Sequence, residues 1–319
     1  MSAGNISEFP SPTTSSLPNY ITSGPDGNLW FTEQDGNQIG RITPQGVITE
    51  FAIPTPNSSP QGITSGPDGN LWFIESLASK IGRITPQGDI TEFPTPTANS
   101  QPLGITTGPD GNLWFTETGD ISQSGRVGKI GRITADGDIT EFATPTANSN
   151  PTDITTGPDG SLWFTEAGGV AGYPTSGNQI GRITPQGDIT EFPIPTPNSN
   201  ASYIMAGPDG NVWFTEMTGN KIGCITPEGN ITEFAIPTPN SLPGGITSGP
   251  DGNLWFTETG DTTQSGRAGK IGRITPQGDI TEFPIPTPNS FPNGITIGPD
   301  GNVWFTETNA NQIGRITPQ

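Results

Sequence analysis

Seven glutamates recur at the end of one short motif in this 319-residue chain: Glu33, Glu75, Glu117, Glu166, Glu216, Glu258 and Glu307. Two or three carboxylates brought together could hold a hard cation such as Mg²⁺ or Ca²⁺. The alternative is that they are solvated strand ends, or acceptors for loop amides. Other chemistry is scarce. There is no histidine, and the single cysteine, Cys224, excludes a disulfide framework and a thiolate metal cluster. Cys224 stands where other repeats carry arginine and reads as a substituted strand residue. Residues that break a repeat are better candidates for a site than those that build it. All three tyrosines, Tyr20, Tyr173 and Tyr203, break it. Asp153 occupies the same repeat position as Tyr20 and Tyr203, and Arg126 and Arg267 lie in two near-twin loops. Aromatics and arginines near the mouth of a channel suit ligand contact. Drift on a permissive rim is the competing explanation.

The elements that must position these residues follow from the motif itself. Gly24-Pro25-Asp26-Gly27-Asn28-Leu29-Trp30-Phe31-Thr32-Glu33 returns seven times, and all seven tryptophans sit in it, spaced 42, 42, 49, 50, 42 and 49 residues apart. A turn-rich, β-rich repeat of this length is a propeller blade. The spacing predicts an all-β, seven-bladed propeller with four antiparallel strands per blade, forming one domain over residues 1–319. In the second repeat, strand A is Gly62-Ile63-Thr64-Ser65 and strand B is Leu71-Trp72-Phe73-Ile74-Glu75. Strand C is Ile81-Gly82-Arg83-Ile84-Thr85 and strand D is Asp89-Ile90-Thr91-Glu92-Phe93. The Pro-Asp-Gly and Pro-Gln-Gly turns then share one rim, the bottom. The B–C loops and D–A crossovers share the top, where the repeat-breaking residues map. Large residues on both faces of strand B, as in Leu71-Trp72-Phe73, predict blades packed on both sides, with the tryptophans as core.

Two further expectations concern pairing. Gly4 to Pro10 matches the last strand of a repeat, and the chain ends at Ile316-Thr317-Pro318-Gln319, where such a strand should come next. The N-terminal strand should therefore complete the last blade. A two-residue C–D loop would set Arg41 opposite Glu50. A three-residue bulged loop would set it opposite Thr49, and likeness to the Pro-Asp-Gly turn favours this second register.

Formal net charge is −19, and most of the acidity comes from three repeat positions. Such a surface repels phosphate backbones and anionic lipid, so neither nucleic acid nor membrane is expected as a partner. No apolar run is long enough to span a bilayer and no signal peptide is read. The default expectation is a soluble, cytoplasmic monomer with a small molecule or peptide at the top face; a mature secreted form with an added Met1 is the alternative.

The combination G-P-D-G-N-L-W-F-T-E, N-Q-I-G-R-I-T-P-Q-G and I-T-E-F-P-I-P-T-P is similar to the streptogramin B lyase (virginiamycin B lyase) family along the whole chain. The resemblance implies a seven-bladed propeller with its site at the top of the central channel. It also implies elimination chemistry that opens an ester-closed antibiotic ring with Mg²⁺, a histidine base from a P-H-G-I segment, and glutamates nearby. The matching segments here include Pro18-Asn19-Tyr20-Ile21, Pro60-Gln61-Gly62-Ile63, Pro151-Thr152-Asp153-Ile154 and Pro292-Asn293-Gly294-Ile295, and none of the seven carries histidine; Asp153, one position off, is the nearest candidate for a general base. The reading favoured by that absence is a non-catalytic binding or scaffold propeller with a ligand or cation site at the channel top. The alternatives are a Mg²⁺-dependent streptogramin B lyase and a metal-dependent, lactonase-like hydrolase.

Overall fold

The computed structural model describes residues 4–120, 126–168, 177–260 and 268–318. These form seven four-stranded antiparallel sheets, each in the order A-B-C-D. In blade 2 the strands are Pro60–Ser65, Leu71–Glu75, Lys80–Ile84 and Ile90–Pro94. Strand A starts two residues earlier than its sequence suggests, because Pro60 pairs with Glu75 before an irregularity that ends at Ile63. The ring closes as expected. Ile6–Pro10 pairs with Gln312–Ile316, Ile6 facing Ile316 and Pro10 facing Gln312, and so supplies strand D of blade 7.

The C–D register is the bulged one: Arg41 faces Thr49 and Gly40 faces Glu50. Gly46, at φ 90°, donates its N–H to Thr43 O at 2.8 Å, while Thr43 N donates to Val47 O at 3.0 Å. Glycine takes that left-handed conformation without a Cβ penalty.

The tryptophans are core. All seven are fully buried, and each packs against the next blade, as Trp30 does against Leu71, Phe73 and Ile84. The indole N–H of Trp30 donates to Asp26 Oδ1 at 3.0 Å, so the bottom turn satisfies the polar edge of the buried ring. Phe51 stacks on Trp30 at 5.4 Å, and the Arg41 guanidinium lies 5.4 Å from both ring centres. Arg41 Nη1 reaches on to Pro86 O of blade 2 at 3.0 Å. One repeated set of side chains thus fills the blade and ties it to its neighbour.

Threonines of strand B stitch the inner strands. Gly104 N donates to Thr116 Oγ1 at 3.0 Å, and that hydroxyl donates to Thr152 O of the next blade at 2.9 Å. The same relay closes the ring from Gly294 through Thr306 to Asn19 O. Strand A is thereby tied to the next blade where strand B carries the threonine; blade 2 has Ile74 in that place.

Candidate functional site at the top of the channel

Strand A carries the site because it alone lines the axis. Where most blades have glycine before the isoleucine, blades 1, 4 and 5 have Tyr20, Asp153 and Tyr203. The glycine blades have little room: a Cβ on Gly62 would lie 2.6 Å from Leu103 O, and one on Gly294 2.5 Å from Asn19 O. The three larger residues instead gather around a cavity of about 140 Å³, also lined by Ile21, Ile63, Ile154 and Met205. The Tyr20 and Tyr203 rings meet at 5.3 Å with a 40° tilt.

Polar groups in and beside this cavity are linked across the ring; Tyr203 lines it, whereas Asn293, Asn19 and Gln61 lie next to it. Tyr203 donates its phenol O–H to Asn293 Oδ1 at 2.8 Å. Asn293 donates to Asn19 Oδ1, and Asn19 Nδ2 donates to Gln61 Oε1 at 2.7 Å. Asp153 Oδ2 accepts from Ile204 N at 3.1 Å. Enclosure by protein pushes the Asp153 carboxyl up to about 7, against the backbone bonds from Ile204 and Ile154 that favour its charged form. Part of its surface stays open to the channel, and it is half-buried. Burial likewise raises both tyrosines well above the usual phenol range, with the charge of Asp153 adding to it.

Of the residues singled out from sequence, Tyr20, Asp153 and Tyr203 come together here. Arg126 does not: it is buried, with Nε donating to Thr118 O at 3.0 Å and Nη2 to Asn150 Oδ1 at 3.1 Å, and so anchors its loop to a crossover. Tyr173 and Arg267 lie outside the described residues. The amides Asn19, Gln61 and Asn293 were not singled out. They are the second residue of the P-x-G-I segments, and the missing histidine at that position was the signal that could have found them.

Of the three sequence readings of the strand B glutamates, that of acceptors for loop groups comes nearest, although Glu33 accepts from serine hydroxyls and not from amides. They are not solvated strand ends, because Glu33, Glu75, Glu117, Glu166, Glu216, Glu258 and Glu307 are all buried to within 1%. Nor do they line the channel cavity. Each is turned outward beneath the crossover entering its own blade; Glu33, for example, accepts from Ser16 Oγ at 2.6 Å and from Ser11. Burial raises all seven carboxyls, to about 7 in Glu75 and about 8 in Glu166. Among the described residues no group of three or more His, Cys, Asp and Glu side chains could hold a metal ion. The residues present therefore do not fit a Mg²⁺ centre at the channel top, where Asp153 is the one carboxylate lining the cavity. No helix among the described residues is long and apolar enough to cross a membrane.

Comparison with known proteins agrees with this architecture. The pattern of the Virginiamycin B lyase family matches residues 1–128 and 120–319. A streptogramin B lyase structure is 40% identical, with a TM-score of 0.87 and 99% of each chain covered. Virginiamycin B lyase from Staphylococcus aureus is 43% identical at the same TM-score and coverage. A catalytically inactive histidine-to-alanine variant of that enzyme with quinupristin is 42% identical, also at 0.87 and 99% of each chain. No curated protein matches significantly. A gluconolactonase-like structure at 17% identity and TM-score 0.55 shares the fold alone. With its whole length matched by the family pattern and by relatives at 40–43% identity, this chain belongs to the virginiamycin B lyase family.

Proposed function

We propose that this chain is a binding propeller that holds a neutral, amide-bearing ligand at the top of its channel without opening it. The cyclic depsipeptides of the streptogramin B class, represented by quinupristin in a relative, are the ligand chemistry to test first. The observation that carries this reading is the joined set Tyr203, Asn293, Asn19 and Gln61, in a chain with no histidine at all. Carboxamides donate and accept hydrogen bonds but do not take a proton near neutral pH, so they can recognise peptide groups and cannot act as a general base. The tyrosine pair adds rigid apolar area beside them. A relative in which one histidine was replaced by alanine is described as catalytically inactive, which fits a binding role for a histidine-free chain.

Asp153 supports a second reading. A carboxyl held at about 7 inside the same cavity is suited to general-base work, and would make the chain a lyase with a rewired base.

Calorimetric titration with quinupristin tests the first reading. Binding heat is expected, and Asn293→Leu or Tyr203→Phe should weaken affinity about 5- to 10-fold for each hydrogen bond lost. No heat with the intact protein would overturn it. Ring opening that disappears in Asp153→Asn would establish the second reading instead.

A further inference from the structure

The head of strand C differs between blades in a way that the channel site does not use. Blades 2, 3, 5 and 6 have lysine there, and blades 1, 4 and 7 have glutamine. Lys80 Nζ donates to Glu92 Oε2 at 2.8 Å and Thr55 Oγ1 at 2.6 Å. Lys129 contacts Glu141 and Thr97, each at 2.5 Å, and Lys221 contacts Glu233 at 2.7 Å and Thr196 at 2.5 Å. Lys270 uses Glu282 and Thr238 in the same way. In each case the ammonium sits between a strand D carboxylate and a crossover threonine. The buried strand B glutamate lies close enough to feel its charge.

Blades 1 and 4 keep the acceptors and lack the ammonium. Thr13 Oγ1 donates to Glu50 Oε2 at 2.7 Å, and Thr146 Oγ1 to Glu191 Oε2 at 2.7 Å. Gln38 and Gln179 stand in the lysine position, each with a buried Oε1 that has no hydrogen-bond partner. Glu33 Oε2 and both carboxylate oxygens of Glu166 are also buried without one, but so are both oxygens of Glu75, Glu117, Glu216 and Glu258 in the lysine blades, so the glutamine oxygens are what set blades 1 and 4 apart. The charge of Glu191 acts directly on Glu166, so the two carboxylates of blade 4 face one another. Blade 7 has found another answer: Gln312 Nε2 donates to Thr287 Oγ1 and to Glu307 Oε2, both at 3.2 Å.

Buried polar oxygens without a donor are costly, and in blades 1 and 4 a buried glutamate stands beside a half-buried strand D carboxylate with no lysine ammonium between them. We propose that blades 1 and 4 each bind a monovalent cation of ammonium size, K⁺ being the expected ion, in the place that the lysine ammonium fills in blades 2, 3, 5 and 6. In blade 4 its oxygens would come from Glu166, Gln179, Glu191 and Thr146, and in blade 1 from Glu33, Gln38, Glu50 and Thr13. Four sister blades show that this position accepts one positive charge of that size. Each donor set mixes neutral and carboxylate oxygens. A small divalent ion that demands tight octahedral geometry suits it less well. These sites lie under the crossovers, apart from the channel cavity, and do not depend on the ligand proposed above.

Thermal unfolding in potassium chloride and in tetramethylammonium chloride, at equal ionic strength and about pH 9, tests the proposal, since protons then compete little for the carboxylates. The Tm should be higher in potassium by about 2–4 °C and should saturate with concentration. In the double variant Gln38→Lys, Gln179→Lys that difference should vanish. Equal Tm values in the two salts for the unaltered protein, or an undiminished potassium response in the double variant, would overturn it. Should the variant not fold, anomalous scattering from crystals soaked in Tl⁺ decides. Peaks in blades 1 and 4 support the assignment, and their absence removes it.

Discussion

At the scale of single residues, the departures from the repeat are more informative than the repeat. Cys224 pairs with Trp213 and Thr232 where six blades place arginine, and burial, with Asp209 nearby, pushes its thiol up to about 12. It is a buried strand residue, as its place in the sequence suggests, and its thiol is inert. The Trp213–Phe234 stack survives at 5.5 Å without a guanidinium beside it. In the other blades the arginine also lies 3.6–3.9 Å from the turn aspartate. Cys224→Arg should restore the cation–π contact and this half-exposed ion pair, together worth about 1 kcal/mol. The expected rise in Tm is about 2–4 °C in a melting curve, and a fall would show that the blade 5 pocket does not accept the side chain. The opposite change is predicted at Gly40, where an added Cβ would lie 2.1 Å from the Phe31 ring. Gly40→Ala should destabilise by about 1–3 kcal/mol through overpacking, measured by chemical denaturation.

At the scale of elements, closure of the ring is the most exposed prediction. Five residue pairs from Ile6–Ile316 to Pro10–Gln312 hold the outer strand on blade 7, and Phe9 stacks on Trp304 at 5.4 Å. Deleting residues 1–10 removes the outer strand and uncovers that tryptophan, so Tm should drop clearly; an unchanged melting curve would contradict the role given to this strand. Strand identity, blade number, closure and the C–D bulge were all legible in the sequence, because each rests on local turn chemistry and a period that repeats. The site was legible only in part. Tyr20, Asp153 and Tyr203 showed as breaks in a fixed position. The amide chain did not, because Asn19 and Asn293 meet only when blade 7 closes on blade 1. Burial of the strand B glutamates was hidden for a similar reason. It depends on how the crossovers fold back over the blades, and neither period nor composition encodes that path.

At the scale of the whole molecule, repetition multiplies a small electrostatic effect. Burial disfavours the charge of the seven strand B glutamates and Asp153, raising Glu33 and holding the others at about 7 to 8. An unfolded chain releases those protons near pH 4.3, so the folded state binds more protons between there and about pH 8. Stability should therefore fall as pH rises through that window. The turn aspartates act in the opposite sense. Burial works against the charge of Asp26, but bonds from Asn28 and Trp30 outweigh it and hold the carboxyl low, as they do at Asp68, Asp110, Asp251 and Asp300 in their own turns. Their contribution is lost as pH drops through about 4 and below. In potassium-free buffer Tm should peak between about pH 4 and 5 and decline by several degrees toward pH 8, as followed by circular dichroism. A flat or rising profile over that range would show that the glutamates are ionised in the fold.

The central functional claim is that the channel recognises a ligand without breaking it. Prolonged incubation with quinupristin, followed by chromatography with mass detection, tests this most directly. One unchanged peak is predicted. A new peak of the same mass would mean ring opening by elimination, and a peak heavier by one water would mean hydrolysis; either result would contradict the binding role.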